Sequence, residues 1–430
     1  MKVLHVLYQS LPNSAGSSIR SRDIINNQLK MGLNPVVITS PFQQSFEKGK
    51  LKETNSGITY YRTFSNENEV ISEKKTSFLF QIMKFFRIIN FSLQVYKVVK
   101  KENIDVIHAH AMFFCAFSAQ FAGLLLNKPV VYEIRSLWEE RYKKNSFINY
   151  LIFSFITVLE TFSMLFSKHI VVINHNLKNQ LQKRLLLKSK KMTVIENAVD
   201  LDRVEISKRS NSNLVFGYIG TLSPIEGLDL LVKAFNNLQI KNKLLIFGDG
   251  IESEKLKKLA NGRSNIEFKG IVANNQIAEA YAQVDVIINP RKKSYLTDSV
   301  TPLKPLEAMA YKKLVLVSDV GGMKELVKNE FNGIVFNSDS YKEIKNAITD
   351  VINRNDLDKI IENGYMYIKE EKSWKINAKK YYSINSLGFS FTFLTEFNKA
   401  SITVFPVTNI ESLLTFSNNK LLFEVSVGAK

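Results

Sequence analysis

Residues 300–327, VTPLKPLEAMAYKKLVLVSDVGGMKELV, carry in one short segment the alternation that decides the fold. Pro302 and Pro305 bracket a lysine ahead of a helical stretch. KLVLVSD (313–319) follows as a short β-branched run of the kind that a parallel sheet buries.

The same rhythm extends in both directions. Short apolar runs at LVFGYIG (214–220), KLLIFGDG (243–250), NIEFKG (265–270) and VDVIINP (284–290) are separated by helical patterns such as LDLLVKAFNNL (228–238) and NQIAEAYAQ (275–283). An earlier series holds KVLHVLY (2–8), a helix from about Ile19 to Met31, NPVVITS (34–40), DVIHAHA (105–111), PVVYEI (129–134) and HIVVIN (169–174). Strands alternating with helices predict the α/β class, here as two Rossmann-like domains. The polar stretch VIENAVDLDRVEISKRSNSN (194–213) is the expected connection between them. The predicted division is a first domain over 1–197, a second over 198–372 and a crossover helix over 373–386. A tail over 387–430, rich in Phe, Ser and Thr, lacks the rhythm and suggests no role. Two such sheets turn their strand ends toward a cleft, where α/β proteins take ligands.

Composition narrows the chemistry. A chain of 430 residues is long for one core, and 45% hydrophobic content supports globular folding. Cys115 is the single cysteine, which rules out a disulfide framework and predicts a reducing, cytoplasmic setting. MKVLHVLYQSLP (1–12) reads as a strand rather than a signal peptide. Five histidines and one cysteine show no zinc-like spacing, so no metal is expected. The net charge of +18 points to polyanions: nucleic acid, anionic lipid or phosphorylated ligands. An AT-rich coding bias toward lysine gives the same excess. No nucleic-acid-binding motif accompanies the charge, so nucleic acid is not the expected partner.

Two segments bear on membranes. FINYLIFSFITVLETFSMLF (147–166) approaches the length of a span, but Ser154, Thr157, Glu160, Thr161 and Ser163 fall mostly on one side. A carboxylate in hydrocarbon is costly, so a buried amphipathic helix is expected. Residues 77–101 combine phenylalanines with Lys84, Arg87, Lys97, Lys100 and Lys101. They read either as a core-packing helix or as an interfacial one, peripheral on an anionic membrane at its inner face.

The proline-bracketed loop has its own chemistry. If a helix starts near Pro305, the amides of Leu303, Lys304, Leu306 and Glu307 and the positive end of the helix dipole converge on one spot suited to a phosphate. Glu307 then reaches past it to accept from sugar hydroxyls, or else serves only the helix start.

On these motifs the chain resembles the retaining nucleotide-sugar glycosyltransferases of family 4, which have the GT-B fold of two Rossmann-like domains. The resemblance runs from residue 1 to about 384 and rests on the 300–327 segment, on VIENAVDLDR, YIGTLSPIEGLDLLVKAF, FGDG and DVIHAHA. YEIRSLWEE and HVLYQSLPNSAGSSIRSR look like a subgroup that makes extracellular or capsular polysaccharides. It implies a cytoplasmic transferase that moves a sugar from a nucleotide diphosphate donor to a lipid-linked or oligosaccharide acceptor, without a cofactor. A nucleotide-sugar epimerase of similar build is the alternative, with a nucleic-acid-binding protein last.

The resemblance also assigns residues. Glu307 matches the ribose-binding second glutamate of an E-x7-E motif; the first falls on Ser299, next to Asp298, and Asp298 keeps the carboxylate. His110 matches a histidine facing the donor sugar, with His108 on the same strand face. Where the family places two diphosphate-binding cations, this chain has Thr221 and Glu226, so Arg291, Lys292, Lys293 and Lys304 are expected to supply the charge. The implied catalytic set is His110, Asp298 and Glu307. The implied donor site holds Gly16, Thr221, Gly248, Val272, Arg291, Leu303, Lys304 and Glu307. Arg20, Arg22 and Arg135 are candidates for holding a phosphorylated acceptor.

Overall fold

The computed structural model describes residues 1–11, 16–43, 51–63, 78–142, 146–206, 213–273, 276–387, 416–417 and 420–421. Most of the tail, and 207–212 of the expected connection, lie outside the described residues.

The first sheet contains β1 (Lys2–Leu7), β2 (Asn34–Thr39), β3 (Lys52–Asn55), β4 (Ile58–Arg62), β5 (Val106–His110), β6 (Val130–Ile134), β7 (His169–Val172) and β8 (Met192–Val194). Their order is β3-β4-β2-β1-β5-β6-β7-β8, parallel throughout except for β3 against β4. β5 and β6 are buried at every residue because helices cover both faces, and apolar side chains fill them apart from His108, His110 and Glu133. β3, KETN, is a short polar edge strand and carries no such signal.

α1 (Gly16–Lys30) begins three residues earlier than its sequence pattern indicates. α2 (Phe78–Lys101), α3 (Phe113–Leu126), α4 (Phe147–Leu165) and α5 (His175–Gln182) contribute to the core on one face of this sheet. Phe91, Val95 and Val99 of α2 pack into it while Phe85 and Phe86 stay exposed, so α2 has both the core face and the free face that its sequence left open.

The buried helix expected at 147–166 is reversed. In α4, Glu160, Thr161 and Ser163 point inward, while Phe147, Ile148, Leu151 and Phe155 are exposed. The polar side has partners inside: Tyr132 Oη donates to Glu160 Oε2 at 3.0 Å, and Arg184 donates to Thr161 Oγ1 at 3.1 Å.

The second sheet holds β9 (Phe216–Ile219), β10 (Leu244–Phe247), β11 (Ile266–Gly270), β12 (Val286–Asn289), β13 (Leu314–Ser318) and β14 (Ile334–Phe336), all parallel in the order β11-β10-β9-β12-β13-β14. Its helices are α6 (Leu228–Asn236), α7 (Ser253–Ala260), α8 (Ile277–Ala282), α9 (Tyr295–Ser299), α10 (Lys304–Ala310), α11 (Gly321–Lys324), α12 (Tyr341–Ile352) and α13 (Leu357–Glu371). In each sheet the winding reverses beside the first strand, between β1 and β5 and between β9 and β12. The carboxyl ends of those strands are where such folds open a crevice.

Two segments cross between the domains, and they pair with each other. The Val199 amide donates to Lys372 O at 2.9 Å, and the Trp374 amide to Val199 O at 3.1 Å. After the second crossing, α14 (Trp374–Leu387) packs back on the first domain. Trp374 and Tyr381 are buried there with Ile24, Val106, Val131 and Ile195.

Candidate active site

In the second domain the reversal point is built from glycine. Gly220, at the end of β9, has φ +148, and a Cβ on it would lie 2.3 Å from Lys304 Cε. The bare glycine therefore lets the Lys304 side chain pass. Beyond it, Lys304 Nζ lies 2.9 Å from Glu226 Oε2 and donates to Tyr218 Oη at 2.5 Å. Arg291, just past β12, brings Nη2 to 3.0 Å from Glu226 Oε1. Against the burial that raises it, Lys304 and Arg291 draw the Glu226 carboxyl down to about 2. Burial pushes the Lys304 ammonium below its ordinary range, and Glu226 opposes that shift.

This revises one expectation. Lys304 is not an unengaged cation replacing a lost pair, because Glu226, at one of the two expected cation positions, anchors both Lys304 and Arg291. Two cations on one carboxylate leave a single net positive charge at the site.

α10 starts at Lys304 with Pro305 second, a position where proline's missing N–H costs little. The Glu307 amide donates to Leu303 O at 3.0 Å, so it belongs to the helix and is not available to a ligand, contrary to the expected set of four. Leu303 faces the start of α1: a Cβ on Gly16 would meet Leu303 Cδ1 at 3.8 Å. The structure thus brings Gly16 and Leu303 together from opposite domains.

Glu307 is half-buried. Burial, and next the charge of Asp23, raise its carboxyl above the ordinary range, while Arg203, Arg22 and Lys304 oppose this. Asp23 holds those two arginines, with Arg22 Nε at 2.9 Å and Arg203 Nη2 at 2.8 Å.

Asp298 and Ser299 differ in their surroundings. Asp298 Oδ1 accepts from the Gly321 amide at 2.7 Å. Ser299 is buried, with Oγ donating to Tyr295 O at 2.5 Å and accepting from Gln180 Nε2 at 3.1 Å. First-domain side chains hold this segment: Asn174 Nδ2 donates to Ser299 O at 2.7 Å, and Asn176 Nδ2 to Asp298 O at 3.3 Å.

The remaining predicted donor residues lie near the carboxyl ends of the strands. Gly248 has φ +128 and packs so closely that a Cβ would sit 1.9 Å from Gly220 O. Thr221 is exposed and its carbonyl accepts from Tyr218 Oη at 2.9 Å. Val272 follows β11, half-buried against the second-domain core. Lys292 pairs with Asp229 at 2.9 Å, and Lys293 is exposed.

His110 is the largest departure. It is 1% exposed, inside a closed network and not on a cleft wall facing a sugar. Arg135 Nη2 lies 2.6 Å from His110 Nδ1 and can only donate, so Nδ1 accepts. His110 Nε2 then donates to His5 Nδ1 at 2.9 Å, and His5 Nε2 to Gln28 Oε1 at 2.9 Å. Burial pushes all three buried imidazoles down, His5 to about 3, so they are neutral.

The candidate acceptor-binding arginines Arg20 and Arg135 are occupied as well. Arg20 donates to Glu133 (2.9 Å), Asn197 Oδ1 (2.9 Å), the carbonyls of Ile195 (2.8 Å) and Glu196 (3.0 Å), and Tyr381 Oη (3.0 Å). Arg135 donates to Glu133 at 2.8 Å and to Ser17 O at 2.7 Å. Against burial, these guanidiniums keep Glu133 ionised, well below the ordinary carboxylate range.

His5, Gln28, Glu133 and Tyr381 were not singled out from the sequence. The available signal was a polar residue inside an apolar strand, His5 in KVLHVL and Glu133 in VVYEI. The ring nitrogens of His5, His108 and His110 lie within 4.8 Å of one another, a grouping a metal could use. The hydrogen-bond chain already satisfies His5 and His110, and two adjacent guanidiniums disfavour another cation there.

Comparisons with known proteins agree with this architecture. Residues 15–203 match the family model described as Glycosyltransferase Family 4, and residues 201–367 the model described as Glycosyl transferases group 1. The chain is 27% identical over 303 residues to an uncharacterized glycosyltransferase of Methanocaldococcus jannaschii, covering 68% of this chain and 79% of the relative. It is 26% identical over 304 residues to the UDP-Gal:alpha-D-GlcNAc-diphosphoundecaprenol alpha-1,3-galactosyltransferase of Escherichia coli, covering 64% and 76%. An Anabaena protein crystallised with UDP-glucose shares the fold, with a TM-score of 0.63 at 15% identity over 90% of this chain and 100% of that one. With two such models meeting at the interdomain connection of a double parallel-sheet fold, the chain belongs to the family 4 type of GT-B glycosyltransferases.

Proposed function

We propose that this glycosyltransferase moves a sugar from a nucleotide diphosphate donor to a lipid-linked or oligosaccharide acceptor in cell-surface polysaccharide synthesis, with retained anomeric configuration, on the cytoplasmic side. The observation that carries the donor reading is the pair of cations on Glu226, held at the winding reversal of the second sheet. A diphosphate arriving there meets Lys304 and Arg291 already desolvated, and charge-assisted contacts in such a place are strong. Glu307, one turn along α10, accepts from the donor's ribose. Asp298 orders the Gly321 backbone beside the transferred sugar. The protein's own cations stabilise the leaving diphosphate, so this reading needs no resident cofactor. The Escherichia coli relative, named for a UDP-galactose donor and a diphosphoundecaprenol acceptor, supports both halves of the proposal.

In this reading His110 acts from behind the site. Its chain of hydrogen bonds fixes the end of β5, and with it the first-domain wall of the cleft.

The glycosyltransferase family assignment favours transfer over the epimerase alternative. The test is a thermal-shift panel of nucleotides and nucleotide sugars, followed by a transfer assay on polyprenyl-diphosphate-linked sugars. Proton NMR of the new anomeric centre then reports retention. No rise in melting temperature with any nucleotide sugar would defeat the donor reading, and an inverted product would defeat the stereochemical one.

A further inference from the structure

Among the described residues, none covers the outward side of α4. Phe147, Ile148, Leu151, Phe155, Val158 and Phe162 are exposed, Phe155 at 64%. At 3.6 residues per turn they fall within about 100° of arc. Soluble helices put such a stripe inward, and α4 puts Glu160, Thr161 and Ser163 there instead. Against its carboxyl-terminal half packs a turn, Leu185–Leu187, inside KRLLLKSKK (183–191). Leu185 is 82% exposed, and Lys183, Lys188 and Lys191 are exposed around it. Lys190 ties the turn to the helix by donating to Leu165 O at 2.8 Å. On neighbouring α3, Leu124 and Leu125 are exposed too.

We propose that this surface, α4 with the Leu185–Leu187 turn, docks the protein in the interfacial layer of an anionic bilayer, with α4 lying in the membrane plane. Apolar tips ringed by lysines match that layer, where acyl chains meet anionic headgroups. The sequence-based expectation of membrane contact attached to α2; this proposal rests instead on α4, a helix that the sequence placed in the core.

Two other occupants fit less well. A second copy on the same patch about a two-fold axis would set one lysine ring against another, which an isologous contact between like charges disfavours. Crossing the bilayer, for which α4 is long and apolar enough, would tear Glu160 from Tyr132 and Thr161 from Arg184. The inference is independent of the donor and acceptor reading, since it concerns only the outer face of the first domain.

Flotation of the full chain with vesicles tests it. Phosphatidylcholine vesicles with 30% phosphatidylglycerol should carry the protein up at low salt, and 0.5 M NaCl should reduce the floated fraction several-fold. Pure phosphatidylcholine should carry much less. The double variant Phe155→Asp with Leu185→Asp should lose at least roughly ten-fold in binding at an unchanged melting temperature, because both side chains stand in solvent. Lys183→Glu with Lys188→Glu and Lys191→Glu should lose only the preference for anionic vesicles. As a positional readout, Phe155→Cys labelled with an environment-sensitive dye should shift to the blue on binding; Cys115 is buried and should escape labelling. No flotation of the wild type, or flotation equal to that of the aspartate variant, would overturn the proposal. Resistance to alkaline carbonate would replace it with a spanning helix, and a wild-type dimer dissolved by the aspartates would replace it with self-association.

Discussion

Lys304 reaches Glu226 across the bare face of Gly220, and the two groups close to 2.9 Å. The contact makes the charge at the proposed diphosphate site depend on a carboxylate as well as on cations. It gives the site a response that can be driven in both directions.

Lys304→Ala should weaken a nucleoside diphosphate roughly ten- to hundred-fold, the worth of a charge-assisted hydrogen bond, and the bare nucleoside far less. Glu226→Gln should do the reverse, tightening the diphosphate several-fold while leaving the nucleoside unchanged. Calorimetry with both ligands on both variants measures this. Parallel changes for the two ligands would place Lys304 and Glu226 in a structural contact only.

Acid stability should report the same carboxylate. Glu226 titrates at about 2 in the folded protein against an ordinary 4.5, so its stabilising share is present above 4.5 and lost as pH falls toward 2. In a melting series from pH 6 to 2, the gap between wild type and Glu226→Gln should therefore narrow below pH 4.5. A constant gap would count against the ion pairs.

Glu160 should behave with the opposite sign. Burial first, and then Glu139, raise its carboxyl to about 8, so the folded protein keeps a proton that the unfolded chain releases near 4.5. Stability falls as pH rises between those values and levels off above them. Glu160→Gln keeps an acceptor for Tyr132 and removes the titration, so its melting temperature should pull ahead of wild type from pH 5 to 8. Equal pH profiles would show that Glu160 is ionised in the fold.

Activity should separate the residues of the 298–307 segment. Glu307→Ala should abolish transfer, and Asp298→Ala should cost more activity than Ser299→Ala because Asp298 orders Gly321. Ser299→Ala should instead lower the melting temperature, since it removes a buried hydroxyl with two partners. Initial rates beside melting curves decide it, and a larger activity loss at Ser299 would reverse the assignment.

Much of the fold was legible because burial on both faces forces strands into plain apolar runs, as in VDVIINP and KLVLVSD. KETN of β3 was invisible, being an exposed edge with no side to bury. The loop at 302–307 was legible through its prolines, whereas the partner of Lys304 was not. Glu226 is distant in sequence, and a carboxylate at an expected cation position looks like a loss until its neighbours are seen. α4 was misread for a related reason: amphipathicity shows that a helix has two sides and leaves open which one faces the protein. His110 and Arg135 read as cleft residues by position, but their mutual contact and the one with Glu133 are tertiary facts.

The return of α14 to the first domain has a consequence for synthesis. Trp374 and Tyr381 close the face formed by Ile24, Val106 and Val131, and Tyr381 donates to Glu133 at 2.6 Å. On the ribosome the first domain is therefore unfinished when its own strands have emerged. It must wait for the whole second domain, roughly 10–40 s at about 5–20 residues per second. Through that interval Glu133 and the two arginines lack their cover. A nascent chain stalled before residue 374 should be open to proteases and chaperones in a way that the completed chain is not.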